Sequence, residues 1–86
     1  MQYCATKHFN KRAQQRSIRY FVVNHLLIYG SSSRAGGDCE RVYFDKFALS
    51  EIAAVDPDVY KKIEKHKNSY IIVSADGKLV TAARIH

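Results

Sequence analysis

The first 34 residues of the chain contain no Asp or Glu, although they include six Lys and Arg residues. The other residues carry eight basic and eight acidic side chains, so the whole formal net charge of +6 resides in the N-terminal part. An excess of one sign at one end of a chain indicates a polyanionic partner, for which nucleic acid is the first candidate. The alternative is that the charge only keeps a small protein soluble.

The sequence also has few cysteines and no long apolar run. Its two cysteines, Cys4 and Cys39, are predicted to be reduced thiols, because the chain does not begin with the basic and then apolar segments of a secretory signal. The longest apolar stretch, residues 20–29, is interrupted by two polar residues and is about half the roughly 20 residues that cross a membrane. These absences predict a cytoplasmic protein without a membrane partner.

The length of 86 residues excludes large cofactor-binding scaffolds. A hydrophobic fraction of 47% is enough for one packed domain that spans residues 1–86. The glycine pair at 36–37 is followed by Asp38, whose charge would repel a phosphate, so it does not form a nucleotide-binding loop. The Cys and His residues include no closely spaced pair of the kind that binds zinc. We therefore expect neither a metal site nor a small-molecule cofactor.

Hydrophobic periodicity and turn residues predict an α+β fold. The first two elements are a basic helix capped by Thr6 and a buried helix that ends at Gly30. A strand, a helical insertion capped by Asp45 and Asp56, and a C-terminal hairpin follow. Helices are predicted at residues 6–16, 18–29, 45–55 and 56–66, strands at 39–44, 69–74 and 79–85, and a mobile loop at 31–38.

One basic motif in the first helix suggests a site for chemistry. His8, Arg12 and Arg16 recur at every fourth residue and therefore lie on one helix face. Because like-signed groups at this spacing repel each other, helix stability does not explain the pattern, whereas an anionic ligand does. Arginine binds phosphate oxygens through forked donors, and histidine exchanges protons near neutrality. The motif fits cleavage of a ribose phosphodiester, and the alternative is a basic surface helix with a chance histidine.

Further residues are candidates for binding nucleic acid. Arg41 and Tyr43 point to the same face of the middle strand, where a tyrosine can stack on a base and an arginine can contact the backbone. On the last strand, regular alternation places Thr81 on one face with Leu79, and Arg84 on the other, unless a bulge intervenes. The remaining basic candidates lie on or beside the first helix, namely Lys7, Lys11 and Arg19.

Three segments carry a family pattern. They are the run from Thr6 to Ile18, Gly30 after an apolar helix, and the run from Asp76 to Thr81. Together they resemble small uncharacterised bacterial domains associated with the RelE/BrnT-like toxins of toxin–antitoxin systems. The pattern of that family is approximately T-x-H-A-x-x-R-M-x-x-R-G-I, an apolar helix ending in G, an aromatic strand, and a closing D-G-x-V-x-T.

The resemblance implies a RelE-like fold, in which the two N-terminal helices pack on a small, twisted, mainly antiparallel sheet of three to four strands. It also implies the chemistry of a small ribonuclease. It implies that His8, Arg12 and Arg16 form the functional cluster, and that Thr81 rather than Arg84 comes near them from the last strand. In this hypothesis His8 is the general base or acid and the two arginines hold the scissile phosphate. Thr81 positions a phosphate oxygen. An acidic antitoxin that covers the basic face is the implied protein partner.

The chain departs from the family pattern at three positions of the first segment. Phe9 replaces a small residue, Ala13 replaces Met, and Ser17 replaces the Gly between the two helices. Because serine is a favourable N-cap, we expect Ser17 to begin the second helix.

Two hypotheses of function follow. In the first, the protein is a toxin-type domain that binds RNA and cleaves it as an endoribonuclease that needs no metal. In the second, it is a non-catalytic module that binds nucleic acid or a protein through the same basic helix face. They differ in what His8 does, because only the enzyme needs its imidazole to move a proton.

Overall fold

The structure, a computed structural model, describes residues 4–85. Its helices and strands follow the predicted α+β pattern, including a helical insertion before the C-terminal hairpin. The elements are β1 (Cys4–Ala5), α1 (Lys7–Gln15), α2 (Tyr20–Tyr29), β2 (Ser31–Gly36), β3 (Cys39–Tyr43), α3 (Lys46–Val55), α4 (Pro57–Glu64), β4 (Ser69–Ser74) and β5 (Lys78–Arg84). No helix among residues 4–85 is long and apolar enough to cross a membrane.

The sheet is mixed and has five strands in the order β1-β5-β4-β3-β2. The short β1 is parallel to β5, and the other neighbouring strands are antiparallel. The predicted three to four strands were too few, and the predicted mobile loop at 31–38 was wrong, because most of it forms β2. The serines and glycines of this segment are typical of loops. As an edge strand, however, β2 depends on backbone hydrogen bonds to β3, which any residue except proline can make.

Local capping signals place three of the helices correctly. The Thr6 hydroxyl accepts a hydrogen bond from the Phe9 amide at 3.0 Å and begins α1. Asp45 caps α3 through the Ala48 amide, and Asp56 caps α4, which has Pro57 as its first residue. These predictions from sequence are confirmed.

The break between α1 and α2 differs from the expectation. Ser17 does not cap α2, because it has a φ of 54° and ends α1 in the left-handed region that favours glycine. The amide of Ile18 donates to the Ala13 carbonyl and that of Ser17 to the Gln14 carbonyl, which is the hydrogen-bond pattern of a Schellman motif. Arg19 is the residue that precedes α2. The glycine of the family pattern would suit this conformation better than the serine found here.

Gly30 ends α2, but it does so in an extended conformation with a φ of −63° rather than in a left-handed one. Only glycine fits at this position, because there is no room for a side chain. A Cβ at this position would lie 2.4 Å from the Leu26 carbonyl oxygen and 2.6 Å from Cγ1 of Val42. The close approach joins the end of α2 to β3.

A β-bulge in β5 changes which residues face the core. Ile72 is paired with Thr81 and Val73 with Leu79, so Val80 is the extra residue. Leu79 is therefore buried on the helix-covered face, and Thr81 lies on the opposite face. The expectation that Thr81 shares a face with Leu79 was wrong, because regular alternation does not continue through a bulge.

The core lies between the helices and one face of the sheet. The other face, here called the open face, has no buried residue among the central positions of β3, β4 and β5. The buried apolar side chains are Phe9, Ala13, Ile18, Val22, Val23, Leu26, Phe44, Ala48, Ile52, Ile63, Ile71, Val73, Leu79 and Ala82.

Candidate nucleic-acid interface

Helix α1 lies along β5 and covers part of its free edge. Thr6 donates its hydroxyl to the Leu79 carbonyl oxygen at 3.1 Å, and Nη1 of Arg16 donates to the Ala82 carbonyl oxygen at 2.7 Å. Between these two contacts, Phe9 and Ala13 are buried in the core. The helix is therefore fixed at both ends to a strand that lies more than 60 residues later in the chain.

The predicted basic stripe lies beside this buried edge of α1. His8, Arg12 and Arg16 are all exposed, and the first two directly precede the buried Phe9 and Ala13. Within residues 4–85, neither the side chain of His8 nor that of Arg12 takes part in a hydrogen bond or salt bridge. Arg16 uses one of its donors for Ala82 and retains the others. The stripe thus presents two guanidinium groups that no carboxylate within residues 4–85 pairs with.

Arg84 joins this stripe, although the resemblance had favoured Thr81 over it. Nη2 of Arg84 donates to the Ser17 carbonyl oxygen at 2.9 Å, which attaches the end of β5 to the end of α1. Arg16 and Arg84, with Tyr70 and Ala83, line a pocket of about 400 Å³. No local pattern in the sequence brings these residues together, because the contact depends on how α1 ends.

Thr81 lies on the open face, opposite Ile72 of β4. Its side chain is half-buried, and the carbonyl that Arg16 contacts belongs to the next residue, Ala82. The structure therefore places Thr81 beside the Arg16 contact in the chain, but it does not place Thr81 in the pocket that Arg16 and Arg84 line.

The open face carries an aromatic and basic surface. Tyr43 is paired with Tyr70, and the Arg41 guanidinium lies 4.9 Å from the centre of the Tyr70 ring. Sequence reasoning placed Arg41 and Tyr43 on one face and missed Tyr70. The alternation of β4 could have found it, because Ser69, Ile71 and Val73 are buried and Tyr70 lies between the first two.

The other predicted contacts belong to α1 and to the residue before α2. Lys7 and Lys11 are exposed on α1, and Arg19 is exposed just before α2. Arg19 and Arg84 also lie near enough to His66 to affect its ionisation. The pKa of His66 is lowered, first by burial and then by the positive charges of Arg84, Arg19 and Lys65.

Acidic side chains do not balance these cations. Lys78 and Asp76, 3.6 Å apart in the β4–β5 turn, form the one salt bridge found within residues 4–85. The structure therefore has a continuous cationic region at the meeting point of α1, the start of α2 and the end of β5. A region of this kind attracts polyanions.

In the part of the chain that the structure describes, no three His, Cys, Asp or Glu side chains are grouped as ligands for a metal ion. Cys4 is an exposed free thiol, and Cys39 is a half-buried one. No family model, curated protein or solved structure matches this chain.

Proposed function

We propose that this protein is a toxin-type domain that binds single-stranded RNA. The observation that carries the proposal is the pocket lined by Arg16, Tyr70 and Arg84, since it joins the basic stripe of α1 to the aromatic open face. A nucleotide presents an anion and an aromatic ring side by side. Guanidinium groups bind the phosphate of such a ligand, and a tyrosine ring stacks on its base.

The basic stripe and Arg84 would hold the RNA backbone. Arg12, with both its charge and its donors free, is the strongest candidate for a phosphate contact, and Lys7, Lys11 and Arg19 would extend the region to neighbouring phosphates. These contacts bind the backbone without reading the sequence.

The composition of the open face favours binding of single-stranded RNA over double-stranded RNA. Tyr43 and Tyr70 are adjacent on neighbouring strands, so unpaired bases could stack on them. The Arg41 guanidinium lies over one face of the Tyr70 ring, which leaves the other face for a base. In an A-form duplex the bases are stacked on each other and the rings could not reach them.

The decisive experiment compares a labelled single-stranded RNA with the same RNA annealed to its complement. We expect the single strand to bind at least tenfold more tightly at one fixed salt concentration, because only it offers unpaired bases. Equal affinities would contradict the stacking role, and no binding to either RNA would contradict the proposal.

We further propose that the bound RNA is cleaved without a metal ion. The specific observation in favour is that His8 is exposed on the same stripe as Arg12 and Arg16 and has no acidic neighbour on α1. His8 would take the proton of a ribose 2′-hydroxyl, whose oxygen then attacks the adjacent phosphorus. The bond from phosphorus to the 5′-oxygen breaks, and that oxygen takes a proton from water. The proton held by His8 returns to the solvent and balances it. The products are a 2′,3′-cyclic phosphate and a 5′-hydroxyl.

In this reaction the cations stabilise the charge that develops on the phosphate oxygens. Arg12 and Arg16 would provide this, while the Thr81 hydroxyl would position one phosphate oxygen from the strand beside the stripe. Treatment of total RNA with the wild type should yield fragments with cyclic phosphate ends, and His8→Ala should yield none while still binding RNA. Intact RNA from both proteins would leave the non-catalytic binding module as the function.

We propose an acidic antitoxin as the natural protein partner of this domain. It would bind the basic stripe and exclude RNA, because both ligands would neutralise the same charges. A small acidic open reading frame beside the gene would support this partnership. If this protein still binds RNA while in complex with the protein that the reading frame encodes, the proposed partnership is contradicted.

A further inference from the structure

A groove lies where one side of α1 meets the start of α2. Four buried apolar side chains form its floor, namely Phe9, Ala13, Ile18 and Val23. The groove has a volume of about 470 Å³, which is within the range of roughly 300–1,000 Å³ that is typical of sites for small ligands. An apolar floor with a few polar groups around it is the usual composition of such sites.

The rim of the groove carries groups that suit a flat, polar ring. Asn10 and Gln14 are exposed one turn apart on α1, and neither side-chain amide takes part in a hydrogen bond within residues 4–85. Tyr20, at the start of α2, is 80% exposed. The tyrosine ring offers a stacking surface, and each carboxamide offers a donor beside an acceptor.

Ser17 lies on the same rim in a conformation that does not suit serine. Within residues 4–85 it is the one non-glycine residue with a positive φ, and at 54° a serine costs free energy relative to glycine. Its hydroxyl forms no hydrogen bond in the described part of the chain, so the fold gives no reason for this side chain. Strained positions of this kind cluster at functional sites. A ligand that bonds to the exposed hydroxyl explains the residue.

The groove adjoins the proposed RNA surface and has the same sign of charge. The Ser17 carbonyl oxygen accepts the hydrogen bond from Arg84, which lines a pocket with Arg16 and Tyr70. Ser17 therefore joins that pocket to the groove. Arg19 is exposed on the rim, and no Asp or Glu lines the groove. An RNA strand held at Arg84 is thus beside a second cationic site that has space for a base.

We propose that the groove binds an adenine base of the bound RNA. Adenine presents a donor, N6–H, beside an acceptor, N7, and one carboxamide pairs with both atoms. Gln14 supplies that carboxamide, because it lies one turn nearer than Asn10 to the start of α2, where Tyr20 stacks on the base. The Ser17 hydroxyl adds a hydrogen bond to the nucleotide, and Arg19 contacts its phosphate.

The donors on the rim favour adenine over guanine. The N7 and O6 atoms of guanine are both acceptors, which suit a guanidinium better than a carboxamide. The groove has two carboxamides and one guanidinium on its rim. This inference rests on the proposed RNA binding and adds the selection of one base to it.

The test compares three short single-stranded RNAs at one salt concentration: an all-uridine strand, and the same strand with one central adenosine or one central guanosine. The adenosine strand should bind at least fivefold more tightly than the all-uridine strand, since a bidentate contact discriminates by roughly 5- to 150-fold. The guanosine strand should gain less. Equal affinities, or a larger gain for guanosine, would overturn the adenine site and leave RNA binding intact. No binding of any strand would overturn the proposed function itself.

Two neighbouring glutamines of α1 give a matched pair of variants. Gln14→Ala should remove the preference for the adenosine strand without changing the affinity for all-uridine RNA. Gln15→Ala should keep the preference, because Gln15 is equally exposed but does not line the groove. The same preference in both variants would overturn the proposal.

Ser17→Gly separates binding from folding. Glycine adopts a φ of 54° without strain, so the variant should have a raised unfolding midpoint. Its affinity for the adenosine strand should fall at least twofold, which is the effect of losing one hydrogen bond, while its affinity for all-uridine RNA stays the same. A lower affinity in a more stable protein cannot come from unfolding. Unchanged binding of the adenosine strand would overturn the role of the hydroxyl.

Discussion

The guanidinium of Arg16 donates a hydrogen bond of 2.7 Å to the carbonyl oxygen of Ala82, on a strand 66 residues later in the chain. This contact places the C-terminal end of the basic stripe against the edge of the sheet. It explains why Arg16 serves the fold as well as the proposed site. Arg12, one turn earlier on the same face, is exposed and makes no such contact.

Arg12 and Arg16 should therefore respond differently to substitution by glutamine. Arg16→Gln should lower the free energy of unfolding by about 1 kcal/mol, because it removes a hydrogen bond from a charged donor to a strand edge. Arg12→Gln should leave stability within about 0.5 kcal/mol of the wild type. Both substitutions should weaken RNA binding. Both should also reduce the slope of log affinity against log salt concentration by the amount expected for roughly one phosphate contact. Urea unfolding and RNA binding at several salt concentrations test these expectations, and equal stability losses would contradict them.

Tyr70→Leu should weaken binding of single-stranded RNA by about 1–3 kcal/mol, because one stacking surface is lost while the charges stay the same. The salt dependence should not change. Phe47→Leu is the matched control, since Phe47 is an aromatic residue with 80% exposure on α3 and away from the open face. Fluorescence anisotropy of a labelled RNA measures the affinity of both variants. A similar loss in the two variants would show that Tyr70 has no specific role.

Gly30→Ala should destabilise the protein by about 2–3 kcal/mol, because the new methyl group would overlap the Leu26 carbonyl and the Val42 side chain. Gly36→Ala is the comparison. Gly36 has open space around it but a φ of 99°, so the substitution should cost only the backbone strain of about 1 kcal/mol. Thermal unfolding of both variants checks the order, and a larger loss in Gly36→Ala would contradict it.

Asp45 should make stability depend on pH in the acid range. Hydrogen bonds from the Ser31 hydroxyl and then from the Ala48 amide hold its pKa below the ordinary value of 3.8. Its contribution is therefore fully present above the unfolded-state pKa and is lost as the pH falls through the folded-state pKa. Asp45→Asn keeps an acceptor for the helix cap but cannot titrate.

The measurement is the urea midpoint of the wild type and Asp45→Asn between pH 6 and roughly pH 2.5, a range that spans the ordinary carboxyl pKa. The wild type should lose more stability than the variant at the acid end. Parallel curves for the two proteins would contradict the role of this carboxylate.

The sequence predicted the features whose causes are local. Thr6, Asp45 and Asp56 cap helices through amides two or three residues ahead. The residues that form each cap are therefore close in sequence and can be recognised there. It did not predict β2, whose strand character comes from pairing with β3, or the bulge at Val80, which arises from the register of two strands.

The candidate site was predicted only where it lies on one element. His8, Arg12 and Arg16 follow from helical spacing, and Arg41 and Tyr43 from strand alternation. Arg84 and Tyr70 enter the site because α1 ends at Ser17, whose carbonyl accepts a hydrogen bond from Arg84, and because β4 and β5 pair in one register. These are contacts between distant segments, which periodicity does not encode. The pocket that Arg16, Tyr70, Ala83 and Arg84 line could not be predicted for the same reason.

The central claim is that single-stranded RNA binds where the basic stripe meets the open face. An amide NMR titration with a short single-stranded RNA tests it most directly. We expect the largest shifts along α1 and at Arg41, Tyr43, Tyr70 and Arg84, with small changes in α3. Saturating shifts confined to α3 and α4, or no saturable shift at any RNA concentration, would contradict the account.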